Sequence, residues 1–369
     1  MSAVEPSPPV NLFDIERWAL QVLPRPVADY FAGGAEDEVT LRANRSALEA
    51  IALRPRMLVD VGTCDLRTSV LGTPIAFPVL VAPTGFQRLA HPDGERAMAE
   101  GTHAAGTLLV VSTYATLSLE AVQRSSPGPK WFQLYVHRDR GLTRELVERA
   151  SAAGYRALVL TVDVPVLGRR ERDIRNRFVL PPHLRAANFH ALESSSLHGT
   201  GDDSALAAFH QGVREPSLTW RDVNWLASLT PLPLALKGIL RGDDARRSLD
   251  HGVKGIIVSN HGGRQLDGAV ASVRALPEVV EAVGGQIEVL VDGGIRRGVD
   301  VVRALALGAR AVLVGRPAVY GLAWNGARGV EAVLSLLRDE FATAMALCGA
   351  RSPAEISADL VATGSPLAP

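Results

Sequence analysis

Eight short apolar runs, alternating with helical patterns, constrain this chain more than any other feature. They occupy residues 78–82, 108–112, 131–136, 157–162, 233–237, 255–259, 288–291 and 311–314. Most are too uniformly apolar for strands with one face in water, so they read as strands buried on both faces. Helical patterns between them include 93–105, 140–153, 241–251, 272–283 and 298–307. Gly106, Gly154, Gly252 and Gly308 each stand just before the next run, where a left-handed residue stops a helix. Eight βα units in one chain predict a (β/α)8 barrel. An open doubly wound sheet is the alternative, but strict alternation without a G-x-G-x-x-G turn disfavours it.

Two segments fall outside the repeat. Residues 1–74 carry two helical patterns, near 11–21 and 37–50, and a β-like stretch over 53–71. They read as an N-terminal cap on a barrel formed by residues 75–369, the whole making one structural domain. Residues 181–216, after the fourth run, are rich in Ser, His, Gly, Asp and Ala and lack periodicity. A connection this long reads as a lid, a binding element or a disordered segment. It is too polar for a membrane insertion.

Composition narrows the function classes. Net charge is zero and the arginine pairs are scattered, which predicts no nucleic-acid partner. No apolar stretch is long enough to span a bilayer, and residues 1–9 lack the basic and apolar segments of a secretory signal. Cys64 and Cys348 are too few for a disulfide framework or a cysteine-rich metal site, which suits a reducing, cytoplasmic setting. No His, Asp and Glu cluster at metal spacing, so no metal is expected.

In a (β/α)8 barrel the active site lies at the C-terminal ends of the strands. Chemistry-bearing residues recur at that end of the runs. They are Pro83, Thr84 and Gly85 after the first, Ser112 and Tyr114 at the second, Gln133 and Tyr135 at the third, and Thr161, Asp163 and Arg170 at the fourth. The fifth ends in Lys237. The sixth runs into Ser259-Asn260-His261-Gly262-Gly263-Arg264-Gln265-Leu266-Asp267. Here a base-capable imidazole and a carboxylate-clamping guanidinium leave one strand end, with two glycines between them. A base beside such a clamp suits removal of a proton or hydride from the carbon next to a carboxylate. The seventh run ends Asp292-Gly293-Gly294-Ile295-Arg296 and the eighth Gly315-Arg316. Backbone N–H groups and two guanidiniums there predict a phosphate site, at the common phosphate position of this fold.

These residues, with Asp29-Tyr30-Phe31-Ala32-Gly33-Gly34-Ala35, Gly168-Arg169-Arg170 and Asn176-Arg177-Phe178, carry a resemblance from about Tyr30 to Ser357. The chain resembles the FMN-dependent L-2-hydroxy acid oxidase and dehydrogenase family, which includes glycolate, lactate and mandelate-oxidising enzymes. The resemblance implies FMN as cofactor and His261 as catalytic base, with Asp163 stabilising its imidazolium. It implies Tyr30, Arg170 and Arg264 as ligands of the substrate carboxylate and Tyr135 as partner of the substrate oxygen. Lys237 faces the flavin region where negative charge gathers. Thr84, Ser112, Gln133, Thr161 and Ser259 bond the flavin ring or ribityl chain, with Pro83, Gly85, Gly293, Gly294 and Gly315 lining it. Asp292 takes the ribityl chain, and Arg296 and Arg316 the phosphate. The family also implies O2 as acceptor, with H2O2 as product, and a homotetramer.

Two positions depart from the family's short-chain oxidases. Gly85 stands where many have Ala, and Tyr114 where glycolate oxidase has Trp. Both remove volume, which predicts a pocket for a larger α-substituent, such as the aryl group of mandelate or 4-hydroxymandelate. A short-chain oxidase, or a soluble dehydrogenase using another acceptor, stays open. So does a non-catalytic barrel that binds a phosphorylated ligand, although a mere binder needs no base.

Overall fold

The computed structural model describes residues 8–189 and 214–362. A short antiparallel hairpin, β1 (Thr68–Val70) and β2 (Thr73–Ile75), precedes a closed parallel barrel. The barrel strands are β3 (Val79–Val81), β4 (Leu109–Val111), β5 (Lys130–Leu134), β6 (Leu158–Thr161), β7 (Leu234–Ile239), β8 (Gly255–Val258), β9 (Glu288–Asp292) and β10 (Ala311–Val314). Each pairs with its neighbour in sequence, and β10 closes the ring on β3. All eight apolar runs become these strands, end residues aside. The four glycines read as helix stops all adopt positive φ. Among the described residues no helix is long and apolar enough to cross a membrane.

Period-2 alternation builds the site directly. Leu80, Val110, Trp131, Val159, Ala235, Ile257, Leu290 and Leu313 belong to a core cluster that also holds Val70 and Ile75 of the hairpin. This cluster is the barrel interior. Their chain neighbours Val81, Val111, Phe132, Leu160, Leu236, Val258, Val291 and Val314 pack in the other cluster, between strands and helices. Two residues after an inward residue, the chain points inward again. The next inward positions are Ser112, Gln133, Thr161, Lys237, Ser259 and Asp292, every one buried. An apolar barrel floor therefore carries a polar ring at its C-terminal end.

The cap differs from expectation in two ways. It holds three helices, α1 (Leu12–Val22), α2 (Arg25–Ala32) and α3 (Val39–Glu49), where two were expected. The missed helix α2 is short, has Pro24 at its N-cap and contains Pro26, so it reads as a turn until packing supplies its stability. Of the β-like stretch 53–71, only Thr68–Val70 is a strand; Leu53 makes a lone bridge to Val361. The intervening residues alternate apolar with Arg, Asp and Pro but find no ladder partner. Helix α3 lacks a side-chain cap of its own. Asp267, from the loop after β8, accepts from Val39 N at 3.1 Å and Thr40 N at 2.8 Å instead. A carboxylate there satisfies two orphan donors and suits the helix dipole. The cap is thereby fixed to the same loop that carries His261.

The expected lid, 181–216, lies outside the described residues except at its ends. Its first part packs on the barrel top. Asn188 accepts from Leu119 N at 2.8 Å and donates to Thr113 O at 2.9 Å. Phe189 then stacks on Tyr114, with ring centroids 5.6 Å apart.

Candidate active site

A cleft of about 1110 Å³, its open mouth included, lies over the polar ring. Tyr30, Pro83, Thr84, Gly85, Ser112, Gln133, Tyr135, Thr161, Arg170, Lys237, His261 and Arg264 line it. So do Asp292, Gly293, Gly294, Arg296, Gly315 and Arg316. Asp163 and Ser259 stand behind this lining and touch it through His261 and Lys237.

His261 follows β8 and is the only described residue of its loop, apart from glycine, with positive φ, at 58°. Strained backbone of this kind persists where the surroundings over-determine it. Ser259 Oγ accepts from His261 N at 3.0 Å, and His261 Nδ1 lies 3.0 Å from Asp163 Oδ1. That contact leaves Nε2 as the free ring nitrogen, facing the cleft. Gly238 makes the pair possible. A Cβ on Gly238 would lie 2.5 Å from Asp163 Cβ, and φ there is 113°. Gln265, next to Arg264, donates to Asp163 O at 3.0 Å and Val166 O at 2.9 Å, which holds the Asp163 backbone. Sequence reasoning passed over Gln265, although it lies inside the most informative motif.

Electrostatics set the charge states. Burial pushes the His261 imidazolium down; Asp163 pushes back, but Lys237 and Arg170 add to the downward shift, and the ring sits below its ordinary value. It is a neutral base at neutral pH. Burial opposes the Asp163 charge, yet His261 and Lys237 outweigh it and hold the carboxyl below its usual range. Burial likewise opposes the Lys237 charge, and Asp292 and Asp163 overcome it, so Lys237 is a cation. Its Nζ donates to Ser259 Oγ at 2.8 Å and lies 3.1 Å from Asp292 Oδ2. One ammonium thus ties the ends of β7, β8 and β9 together.

Arg264 is aimed by the cap. Its Nη1 donates to Tyr30 O and Gly33 O, both at 2.7 Å, and its guanidinium lies 5.3 Å from the Tyr30 ring centroid. Tyr30 stacks on Phe178 at 4.7 Å between centroids. Arg170 is buried, and its Nε has no hydrogen-bond partner among the described residues. Burial and the nearby Arg264 charge push it down to about 10. Two guanidiniums that repel one another across a cleft define a site for an anion.

The rest of the cleft lining fits FMN. Asp292 Oδ1 is buried without a partner among the described residues, a free acceptor for a hydroxyl. Gln133 bridges the ring, donating to Thr161 Oγ1 at 3.0 Å and accepting from Thr113 N at 3.2 Å. Arg316 is pushed down to about 9 by burial and by its neighbours Arg264 and Arg296. Its guanidinium donates to Phe31 O at 3.0 Å, Gly262 O at 3.0 Å and Gly33 O at 2.8 Å. Two of its five donors remain by inventory. Arg296 donates to Ile295 O at 3.1 Å and approaches Glu16 at 3.4 Å. Clustered cations beside the strand-end glycines after β9 match a phosphate.

Two further residues join the site unforeseen. Asn44 of α3 pairs with Asn260 in the seam beneath the catalytic loop. Arg214 lines the cleft beside Tyr114 and Tyr135. Neither lies in a motif that sequence reasoning singles out as functional on its own.

Comparison with known proteins agrees with this geometry. Residues 19–363 match the family model of FMN-dependent dehydrogenases. The L-lactate oxidase of Nostoc sp. is 57% identical over 348 residues, 93% of this chain and 95% of that protein. Glycolate oxidase 3 of Arabidopsis thaliana is 51% identical, covering 94% of each chain. A crystal structure of mandelate oxidase with (S)-4-hydroxymandelic acid superposes with a TM-score of 0.91 at 47% identity, covering 94% of this chain and 97% of that one. The chain therefore belongs to the FMN-dependent dehydrogenase family, as an enzyme of its 2-hydroxy acid oxidase group with FMN as cofactor.

Proposed function

We propose that the chain oxidises an (S)-2-hydroxy acid with an aryl α-substituent to the 2-oxo acid, and that O2 receives the electrons and becomes H2O2. The observation that carries the chemistry is a neutral His261 imidazole, paired with the Asp163 carboxylate, lining one cleft with Arg170 and Arg264. Arg264 and Arg170, with the Tyr30 hydroxyl, hold the substrate carboxylate. The Tyr135 hydroxyl bonds the substrate's α-oxygen. Oxidation removes two electrons and two protons from the alcohol. His261 Nε2 takes one proton, and Asp163 stabilises the imidazolium that results. Bound FMN would supply the acceptor for the two electrons and the second proton, which pass on to O2 together with the proton held by His261.

Protein groups prepare the cofactor side. Lys237 places a fixed positive charge in a dry ring, where such a charge is worth most. Ser112, Gln133, Thr161 and Ser259 offer hydrogen bonds at the same level, and Thr84 does so from the end of β3. Pro83, Gly85, Gly293, Gly294 and Gly315 let backbone approach the cofactor. Asp292 takes the ribityl chain, and Arg296 and Arg316 the phosphate.

The aryl reading is supported by the aromatic wall around Tyr114. Tyr114 stacks on Tyr135 at 5.2 Å, on Phe86 at 6.1 Å and on Phe189 at 5.6 Å. Aromatic surfaces of this kind accept a ring in offset stacking. A small 2-hydroxy acid is the second reading, favoured by the 57% identity to an L-lactate oxidase. Anaerobic mixing of the yellow holoenzyme with glycolate, (S)-lactate and both mandelate enantiomers decides between them. Fastest bleaching by (S)-mandelate supports the aryl reading; fastest bleaching by lactate removes it. Peroxide formed on readmitting air tests the acceptor. Light scattering tests the homotetramer that the family resemblance implies, and cell fractionation the cytoplasmic setting.

A further inference from the structure

Among the described residues of the cleft, Arg214 is the one cationic group that the reading above leaves without a task. It is 5% exposed and enters the barrel top beside β5, where it bridges His137. Its guanidinium lies 3.6 Å from the Tyr135 ring centroid and 5.3 Å from that of Tyr114. Nε donates to Tyr114 Oη at 3.1 Å. Nη1 is buried and has no hydrogen-bond partner among the described residues. No carboxylate among the described residues forms an ion pair with it; the groups that favour its charge are the two tyrosines. It lines the substrate cleft and also the largely apolar cavity behind Tyr135.

A buried guanidinium resting mainly on aromatic rings is incompletely compensated. Cation–π contact offsets part of its desolvation, and a charge-assisted hydrogen bond offsets much more. With the α-carboxylate assigned to Arg170 and Arg264 in the reading above, Arg214, lying against Tyr114 and Tyr135, is left to meet the α-substituent. We propose that Arg214 reads the far end of the α-substituent, so that the preferred substrate carries an acidic oxygen there, a carboxylate or a phenol. The proposal rests on the site being a 2-hydroxy acid site, and it holds for an aryl or an alkyl substituent. Tyr114 Oη, fixed by Arg214 Nε, completes the recognition of that oxygen.

Matched pairs test it on the holoenzyme. Anaerobic flavin reduction is measured for (S)-mandelate against its 4-hydroxy and 4-carboxy derivatives, and for (S)-lactate against (S)-malate. In the wild type the oxygen-bearing member of at least one pair is expected to lead by about tenfold or more in kcat/KM, the worth of a hydrogen bond to a charged group. The 4-hydroxy and 4-carboxy arms separate phenol from carboxylate. In Arg214→Leu the ratio within that pair falls towards one, and in Arg214→Lys it is partly kept. Flavin absorbance titrated with phenylacetate and 4-carboxyphenylacetate gives the same ratio without turnover. Equal treatment of both members by the wild type overturns the proposal. So does an Arg214→Leu enzyme that loses both members in equal proportion, which marks a merely structural role. Failure of every acid to bleach the flavin instead refutes the proposed function, and the titration still decides the role of Arg214.

Discussion

Asn44 of the cap and Asn260 of the loop after β8 exchange a reciprocal pair of side-chain amide hydrogen bonds. Asn44 Nδ2 donates to Asn260 Oδ1 at 2.9 Å, and Asn260 Nδ2 donates to Asn44 Oδ1 at 2.7 Å. Asn260 Oδ1 also accepts from Gly263 N at 3.1 Å, and Asn44 Oδ1 from Ser272 N at 3.2 Å. Both residues are buried. The loop that presents His261 and Arg264 is thus held from beneath by a helix of the cap. Asn44→Ala leaves the Ser272 N–H without its acceptor, while Asn260 keeps Gly263 N and Val270 O. A buried orphan costs about 1–3 kcal/mol. Urea unfolding is expected to show a loss in that range, with turnover falling more than FMN content. Unchanged stability and turnover would show that the pair does not hold the loop.

His261→Gln is expected to keep FMN and lose turnover. None of the strand-end groups placed around the cofactor hydrogen-bonds to the His261 ring, whose partner is Asp163. A general base contributes about 10²- to 10⁴-fold. Flavin absorbance and kcat on one preparation check both halves, and near-normal turnover rules His261 out as the base.

The pH profile follows from the direction of the His261 shift. The base works only when neutral, so activity is present above its pKa and lost as pH falls through it. Burial, Lys237 and Arg170 place that pKa below the ordinary imidazole value. The acid limb of kcat/KM is therefore expected below about 6.5, the unperturbed histidine value. Asp163→Asn removes the one group that favours the imidazolium. The limb should move further down, while kcat drops because the imidazolium formed in the reaction loses its counter-charge. A limb that moves up in Asp163→Asn contradicts this electrostatic picture.

Arg264→Lys separates charge from geometry. The Arg264 fork spends Nη1 on Tyr30 O and Gly33 O and keeps its other donors for the carboxylate. Lysine keeps the charge but has no planar fork to serve both. KM is expected to rise by about tenfold or more, the loss of a charge-assisted bond, with a smaller change in kcat. A KM like that of the wild type removes Arg264 from the carboxylate site.

The legible parts of this protein share one physical cause. Strands buried on both faces are uniformly apolar, so the runs ending at Ser112, Val162 and Ser259 stand out in the chain. Alternation then dictates which residue faces the cleft. Asp163, Lys237 and Asp292 stood out as ionisable groups at strand ends, and their roles, like that of Tyr30, came through the family resemblance. Helix α2, which carries Tyr30, was not legible because its two prolines and short length hide a helix that tertiary packing stabilises. Asn44 was hidden because its role depends on a contact 216 residues away in sequence. Arg214 was hidden because it lies inside the polar stretch 181–216, which lacks periodicity, so nothing local says that it turns inward.

Gly85 tests the substrate-size argument most directly. It follows β3 at the cleft, beside the Tyr114 wall. A Cβ added there would lie 3.3 Å from Tyr114 Cβ and 3.4 Å from Tyr114 O. That contact is tight without being forbidden, so Gly85→Ala should fold and press Tyr114 outward by a few tenths of an ångström. Tyr114 stacks on Tyr135 and bonds Arg214, so the displacement reaches the face on which an α-substituent rests. One methyl group of misfit changes discrimination by about 1–3 kcal/mol. The ratio of kcat/KM for (S)-mandelate over (S)-lactate is therefore expected to fall by about tenfold in Gly85→Ala. Most of the loss should appear on mandelate, since lactate leaves that face uncovered. A ratio that stays constant, with both substrates slowed alike, would place the effect on the cofactor side of the cleft and leave Gly85 without a part in selecting the substrate.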